Sequence, residues 1–311
     1  MPAAHVMQPV RPVSAPTAGM GGCPLVKLPH SAATGAEITR WQVRAGGPAR
    51  SPRSPGDHAT VSLAVISDIH GNYDALKVVF DDIDTRGIER VVCLGDIIGY
   101  GPDPLVCLDA VMERCEWSLM GNHDFAVLYE PTSFNASAEA AAFWTRRQLE
   151  LESDISTRRR RWEYLGSLQI RQHYMESLWV HASPRRPINE YIFPDDVITA
   201  PTKMGQIFDR VERRCFVGHT HICGVFTDEP DFWPPADLDG IYTFRDGEKS
   251  VVNPGSVGQP RDRDPRTSYA ILHEDRVEFV RLDYDIEGVI EKVKTIPDLH
   301  DFLGTRLLDG R

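Results

Sequence analysis

The stretch "VSLAVISDIHGN" (residues 61–72) decides how the chain is read. A short apolar run, rich in β-branched residues, stops at Ser67-Asp68-Ile69-His70-Gly71. Bounded by polar residues and glycine, such a run is a strand buried on both faces. Four more share its form: "RVVCLGD" (90–96), "WSLMGNHD" (117–124), "SLWVHAS" (177–183) and "CFVGHTH" (215–221). Between the first two, "NYDALKVVFDDIDTRG" (72–87) puts Ala75, Leu76, Val79, Phe80 and Ile83 on one face of a helix that ends at Gly87. "NASAEAAAFWTRRQLE" (135–150) is a second helix, with Asn135 or Ser137 as its N-cap. Strands of this kind with helices between them predict an α/β sheet. Further on, "IYTFRDGEKSVVN" (241–253), "SYAILHED" (268–275) and "RVEFVRLDY" (276–284) read as hairpin strands, with turns at Asp246-Gly247 and Glu274-Asp275. "IEGVIEKVK" (286–294) is a last helix.

The remaining composition sets limits. Residues 1–58 are a Pro/Ala/Gly-rich extension without periodicity, expected to be disordered. A start assigned too far upstream gives the same look. Residues 1–56 carry a net charge of +5, whereas the rest carries −16. So acidic a body disfavours long nucleic acid as a partner, because such binding needs a basic face. It suits a protein that holds multivalent cations. Nothing approaches the ~20 apolar residues of a membrane span, so no membrane partner is expected. Six scattered cysteines without a C-x-x-C pair indicate a reducing, cytoplasmic setting. The expected organisation is the extension (1–58), one catalytic domain (59–285), and a C-terminal helix and tail (286–311).

Each of the five strands ends in side chains that bind metals: Asp68 and His70, Asp96, Asn122, His181, then His219 and His221. Open α/β sheets build their sites beyond the carboxyl ends of strands, so these residues converge on one crevice. Side chains two apart in extended backbone point the same way, so Asp68/His70 and His219/His221 each bring two ligands to one place. Gly71, Gly95, Gly121 and Gly218 mark tight turns or close backbone passage beside them. Seven ligands exceed the needs of one tetrahedral ion and suit two ions sharing a bridge. Mixed carboxylate and imidazole donors favour Mn, Fe, Zn or Ni over Mg or Ca. Such a pair clamps phosphoryl groups and makes hydroxide available at neutral pH.

The series Asp68-x-His70, Gly95-Asp96, Gly121-Asn122-His123-Asp124, His181 and Gly218-His219-x-His221 resembles the calcineurin-like metallophosphoesterases, with every block present and in order. The resemblance runs from residue 61 to about 285, and "GDIIGYGPDP" (95–104) and "VNPGSVGQPRDRDPRTSYAIL" (252–272) are similar to a compact bacterial phosphodiesterase-type branch. Ala182 in "VHASP" departs from the glycine more usual there. The resemblance implies a four-layer αββα sandwich of two mixed β-sheets flanked by helices. It assigns one ion to Asp68, His70 and His221, the second to Asn122, His181 and His219, and a bridge to Asp96. It makes His123 the general acid, with Asp124 tuning it, and a bridging hydroxide the nucleophile. Manganese is the first choice of metal.

The function so implied is hydrolysis of small phosphate esters, diesters first, with phosphomonoesters or nucleoside polyphosphates as alternatives. A homo-oligomer is compatible with this. The rival is a non-catalytic interaction scaffold, which has no need of both His123 and a full ligand set. Arg261 and Arg263 are candidates for substrate phosphate, against surface pairing with Asp262 or Asp264. Tyr100 lines the pocket or simply packs, and Asn253 contacts substrate or orients a turn. Arg158–Arg161 read as an exposed helix face with Asp154 pairing to Arg158, in preference to a polyanion patch. Cys223 reads as core.

Overall fold

The computed structural model describes residues 62–311, and the expected extension at 1–58 lies outside the described residues. The strands are β1 (Leu63–Ile66), β2 (Arg90–Cys93), β3 (Trp117–Ser118), β4 (Arg171–Tyr174), β5 (Ser177–Val180), β6 (Arg214–Phe216), β7 (Gly224–Thr227), β8 (Asp231–Trp233), β9 (Ile241–Thr243), β10 (Ser250–Asn253), β11 (Thr267–Leu272) and β12 (Arg276–Leu282). The helices are α1 (Tyr73–Thr85), α2 (Pro104–Arg114), α3 (Asn122–Leu128), α4 (Ala136–Leu151), α5 (Ile155–Ser167), α6 (Asp196–Thr199), α7 (Pro201–Phe208), α8 (Ile286–Lys294) and α9 (Phe302–Thr305).

Among the described residues the strands form two six-stranded mixed sheets, ordered β3-β2-β1-β11-β12-β9 and β4-β5-β6-β10-β7-β8. Each contains a parallel trio: β1, β2 and β3 in the first, β5, β6 and β10 in the second. The expected αββα sandwich is the observed one. Alternation along β1 shows how it is held. Leu63 and Val65 point inward to Trp179, Phe216 and Val252 of the second sheet, while Ala64 and Ile66 point outward to the helices. Trp179 and Phe216 stack at 4.0 Å in the inter-sheet layer. The outer face of the first sheet takes Leu76, Val79, Phe80 and Ile83 of α1, with Cys107, Leu108 and Val111 of α2. Met204, Ile207 and Phe208 of α7 cover the second sheet. Both faces of the central strands are therefore apolar, which is why their sequences run without polar alternation.

Several local expectations hold residue by residue. The buried face of α1 is Ala75, Leu76, Val79, Phe80 and Ile83, and Asn135 caps α4 by accepting from the Ala138 amide. The hairpin around Glu274-Asp275 joins β11 to β12. The other hairpin is a correction: β9 pairs antiparallel with β12 in the first sheet, whereas β10 lies between β6 and β7 in the second. A turn signal states that the chain reverses and leaves open which strand it then joins. Here the half-exposed "IYT" takes a sheet edge and the fully buried "SVVN" a centre.

Asp154 does not pair with Arg158; it caps α5 by accepting from the Ser156 and Thr157 amides. Arg158 donates to the carbonyls of Glu150 and Glu152, Arg159 pairs with Glu163, and Arg161 is buried against Asp109 and Glu152. The run is a paired helix surface, half of it covered. Residues 286–311 do not stand apart from the domain. Val289, Val293, Leu299, Leu303 and Leu307 bury themselves against Ala138, Ala141 and Trp144 of α4 and against Tyr100. No helix among the described residues is long and apolar enough to cross a membrane.

Candidate metal centre

All seven candidate ligands lie just beyond the carboxyl ends of β1, β2, β3, β5 and β6, but the backbone that presents five of them is left-handed rather than extended. Asp68, His70, Asp96, His219 and His221 have φ of 54°, 51°, 52°, 63° and 62°. The convergence of each i, i+2 pair therefore comes from two left-handed residues either side of an ordinary one, Ile69 or Thr220, which corrects the extended-strand expectation. Such conformations cost a non-glycine residue about 1–3 kcal/mol and persist only where the surroundings dictate them. Here they do. The Asp68 and His70 amides donate to the carbonyls of Gly95 and Asp96 (3.0 and 2.9 Å), and the Asp68 carboxylate accepts from the Ser67 hydroxyl (2.5 Å) and the His219 amide (3.0 Å). Two glycines leave the room. A Cβ on Gly121 would lie 2.0 Å from Asp96 Oδ1, and one on Gly218 would lie 2.6 Å from Asp68 Oδ2.

The donors form two clusters with one member in common. Asp68, His70, Asp96 and His221 bring ligand atoms within 4.8 Å of one another, and so do Asp96, His181 and His219. In the first, His221 Nε2 is 3.1 Å from both His70 Nε2 and Asp68 Oδ1, and His70 Nε2 is 3.6 Å from Asp96 Oδ2. In the second, His181 Nε2 is 3.3 Å from Asp96 Oδ2. Asn122 Oδ1 and His219 Nε2 are buried without a hydrogen-bond partner, and His181 Nε2 faces only the Asp96 carboxylate. Orphaned acceptors of this kind are costly unless something else binds them. Two divalent cations would satisfy every one, so the residues fit a dinuclear centre with Asp96 at the bridge. The rear nitrogens are aimed as metal-binding histidines require: His181 Nδ1 lies 2.9 Å from the Leu94 carbonyl and His221 Nδ1 lies 2.6 Å from that of Gln259.

Electrostatics agree with that use. Burial drives His219 down to about 3 and lowers His70 and His221, so these imidazoles are neutral and available to a metal at neutral pH. Burial opposes charge on Asp96 as well, but His181, His123 and His70 override it and hold the carboxylate well below its usual range. His181 is the exception: Asp96 overrides burial and lifts the imidazole to about 9, so it must lose a proton before it can take a metal at neutral pH.

His123 follows Asn122 in α3, its amide donating to Asp96 Oδ1 at 2.8 Å. Its ring is wedged between Tyr100 (4.3 Å), Phe134 (4.6 Å) and His70 (4.8 Å), and its Nδ1 has no partner. Asp124 does not reach it. The Asp124 carboxylate accepts from the amides of Ile97, Ile98 and Gly121, tying the Asp96 loop to the start of α3. A direct tuning contact is thus replaced by a positioning one. Burial and the neighbouring Asp96 raise Asp124 to about 7.

The substrate candidates separate. Tyr100 lines the cavity above the centre. Arg261 donates to Gln259 Oε1 (2.7 Å) and forms no ion pair among the described residues, since Asp262 pairs with Arg281 and Asp264 with Arg266. Its charge reaches His70, His123 and His221. Arg263 is turned out to solvent. Asn253 is not a substrate contact: it is buried, donating to the Gly218 carbonyl (2.9 Å) and accepting from the Gly255 amide (2.9 Å), so it orients the turn. Cys223 is core. Sequence reasoning missed Arg306, which burial and the field of Arg261 lower to about 10, and Tyr191, which stacks on His219 at 4.0 Å. Both lie in segments with no motif. Ser67, directly before Asp68, was the one such residue with a visible cue.

Comparison with known proteins agrees with this geometry. The domain model of the calcineurin-like phosphoesterase superfamily matches residues 61–276. An uncharacterized protein of Methanocaldococcus jannaschii is 36% identical over 258 residues, spanning 80% of this chain and 98% of its own. The crystal structure of a metallophosphoesterase from Sphaerobacter thermophilus is 33% identical with a TM-score of 0.66, covering 81% of this chain and 100% of that one. A hypothetical protein of Pyrococcus horikoshii, 19% identical with a TM-score of 0.61 over 80% of this chain and 98% of its own, shares the fold.

Proposed function

The chain belongs to the calcineurin-like phosphoesterase superfamily and is a metallophosphoesterase, and we propose that it hydrolyses phosphodiesters at the centre just described. One ion is assigned to Asp68, His70 and His221, the other to Asn122, His181 and His219, with Asp96 shared. Manganese is the preferred metal, with iron, zinc and nickel suited to the same donors. When bound, such a pair supplies Lewis acidity to the phosphoryl oxygens and lowers the pKa of water enough to provide a nucleophile near neutral pH. The observation that carries the reading is the single carboxylate, Asp96, common to two buried donor clusters.

The chain's own residues perform the rest. His123 gives a proton to the leaving oxygen, and the three rings around it fix the direction of that transfer. Burial, opposed by Asp96 and reinforced by Arg261, His221 and His181, pushes His123 down to about 4. The negative charge of a bound ester beside it works against that burial and favours the protonated form it donates from. Arg261, held by Gln259 and free of carboxylates among the described residues, takes a non-bridging phosphoryl oxygen. Buried Cys93, Cys107, Cys215 and Cys223 support a cytoplasmic setting. The same site hydrolyses monoesters if Arg261 and the ions accept a dianion. Manganese-dependent hydrolysis of bis-(p-nitrophenyl) phosphate, compared between wild type and His123→Ala, tests the proposal. A loss of about 10²-fold or more is expected. Equal rates, or no turnover in either protein with metal demonstrably bound, would sink it.

A further inference from the structure

The end of the chain, beyond the residues 61–276 matched by the family model, brings a second arginine toward the centre. Leu303 and Leu307 are buried with Tyr100 and with Ala138, Ala141 and Trp144 of α4, which pins one side of the tail to the loop after β2. On the other side the Arg263 amide donates to the Gly310 carbonyl (3.0 Å). Gly310, with φ of 57°, packs so closely there that a Cβ would lie 2.8 Å from the backbone of Asp264. Arg306 stands between these two anchors, at the start of the one-turn helix Arg306–Asp309. Its Cζ lies 5.4 Å from the centre of the Phe302 ring, and its Nε donates to the main-chain oxygen of Arg311. Its charge is felt by Arg261, Tyr100 and Tyr191. Tyr100 lies 4.3 Å from His123 and 4.9 Å from His70, and it feels Arg261 and Arg306 together.

The carboxylates around this pair of arginines are all spoken for. The chain has 45 acidic against 34 basic residues, so partners for an arginine are plentiful. Yet the nearest acids in sequence are engaged elsewhere: Asp262 with Arg281, Asp264 with Arg266, and Asp309 with Arg311. Arg261 spends its Nε and Nη2 on Gln259 Oε1, and Arg306 spends only its Nε, so outer guanidinium nitrogens of both are left without a hydrogen-bond partner among the described residues. Both side chains are half-buried. Burial, and next the like charge of Arg261, lower Arg306 to about 10. Charges gathered in this way, with no carboxylate side chain paired to either, are unfavourable until an anion arrives.

We propose that Arg306 joins Arg261 in a two-arginine clamp, and that the ester taken at the centre carries a second anionic group beside the phosphoryl that is attacked. The inference rests on the catalytic reading above, in which Arg261 takes a non-bridging oxygen of that phosphoryl; Arg306 then takes the neighbouring group. A plain diester has a single negative charge and leaves Arg306 without a partner. An ester with an adjoining phosphoryl or carboxylate engages both guanidiniums, whose forked donors match the paired oxygens of either group. The anchors at Tyr100 and Arg263 hold Arg306 in place beforehand, which lowers the cost of ordering it when the ligand arrives.

Methylphosphonate, with one anionic group, is compared with methylenediphosphonate and phosphonoacetate, which have two and resist hydrolysis at their P–C bonds. Binding to the manganese-loaded protein is measured by calorimetry for wild type, Arg306→Lys and Arg306→Gln. Metal per chain and thermal melting are read for each, so that a lost ion or a loosened tail is recognised. Wild type should prefer a two-anion probe to methylphosphonate by about tenfold or more. Glutamine at 306 should remove most of that preference, and lysine, which keeps the charge, should restore part of it. Whichever two-anion probe shows the larger dependence on Arg306 identifies the second group as phosphoryl or carboxylate. Equal affinity of wild type for all three probes, or a preference that Arg306→Gln leaves intact, would overturn the proposal, while hydrolysis of bis-(p-nitrophenyl) phosphate would leave the catalytic reading standing. An Arg306-dependent preference in a protein that hydrolyses no ester would support the clamp and overturn the catalytic premise instead.

Discussion

Gly121→Ala is the sharpest probe of the centre, because one methyl group meets the shared carboxylate. A Cβ at this position would lie 2.0 Å from Asp96 Oδ1, 2.2 Å from the Asp96 amide nitrogen and 2.7 Å from Asp96 Cγ. Real Cβ atoms essentially never come within 3.0 Å of another atom, so Oδ1 must retreat by about 1 Å, taking main chain with it. Rotation of Asp96 alone offers no escape, since its backbone clashes too. Metal–ligand bonds tolerate about 0.2 Å, and a ~1 Å misplacement at a reacting centre costs about 10²-fold in rate, or roughly 3 kcal/mol. Gly166→Ala is the matched control, because nothing lies within 4 Å of the added methyl in α5. That change should stabilise the protein by about 0.5–1 kcal/mol. Elemental analysis of metal per chain, kcat/KM with bis-(p-nitrophenyl) phosphate and thermal melting read both variants. Gly121→Ala should fall below two ions per chain and lose about a hundredfold in kcat/KM. A Gly121→Ala protein with both ions and wild-type kcat/KM would refute the claim that Asp96 is locked in place as the bridge.

Four other outcomes are expected. In the metal-free protein His181 is held at about 9, so at pH 7 it must give up a proton to bind a metal, and above pH 9 it need not. Calorimetric titration in buffers of different ionisation heat should show that proton at pH 7 and lose it by pH 9.5; equal release at both would refute the assignment. In that same metal-free state the His181–Asp96 contact supports the fold fully below about 6.5 and is lost as the pH climbs through 9. Trp179→Ala, at the stacked pair between the sheets, should cost roughly 3–5 kcal/mol, seen as a Tm about 10 °C lower; a change of a degree or two would mean that the sheets are not held there. Asp124→Asn turns an acceptor of three amides into a group that opposes one of them, costing about 1–3 kcal/mol and loosening metal retention. A displaced pH–rate optimum with unchanged stability would show instead that Asp124 acts on His123 directly.

The parts of the molecule legible in the sequence are those where one physical demand dominates. Leu63–Ile66 announces a buried strand because both its faces must be apolar, and Ala75 to Ile83 announce a helix because only one face is. The ligand clusters are legible because strand ends seldom carry several metal-binding groups at once. Legibility fails where two demands compete or where the answer depends on distant chain. The Asp246-Gly247 turn is correctly read as a reversal, yet β10 joins the second sheet because its buried side chains fit between β6 and β7. Asp124 neighbours His123 in sequence, but helical geometry turns its carboxylate to the amides of residues 97, 98 and 121. The left-handed backbone of Asp68 and His221 is not legible because Asp and His visit it more than most residues but still in only a small minority of positions; the Ser67, Gly95, Gly258 and Gln259 contacts impose it here. Arg306 and Tyr191 reach the site only because the tail packs on Tyr100 and Thr220 ties down Ile192.

The uneven burial of the donors has a consequence for how ions exchange. Asp68, His70, His181 and His221 are 1% exposed or less, whereas Asn122 and His219 form part of the cavity lining. An ion held by Asn122 and His219 would therefore sit nearer that cavity than one held by Asp68, His70 and His221, and would be the first to meet solvent. Exchange of the deeper ion would have to pass the shallower one, so a protein of this build moved from one metal to another would go through a mixed state. A substrate in the same cavity would stand in that doorway, and turnover itself would slow replacement of either ion.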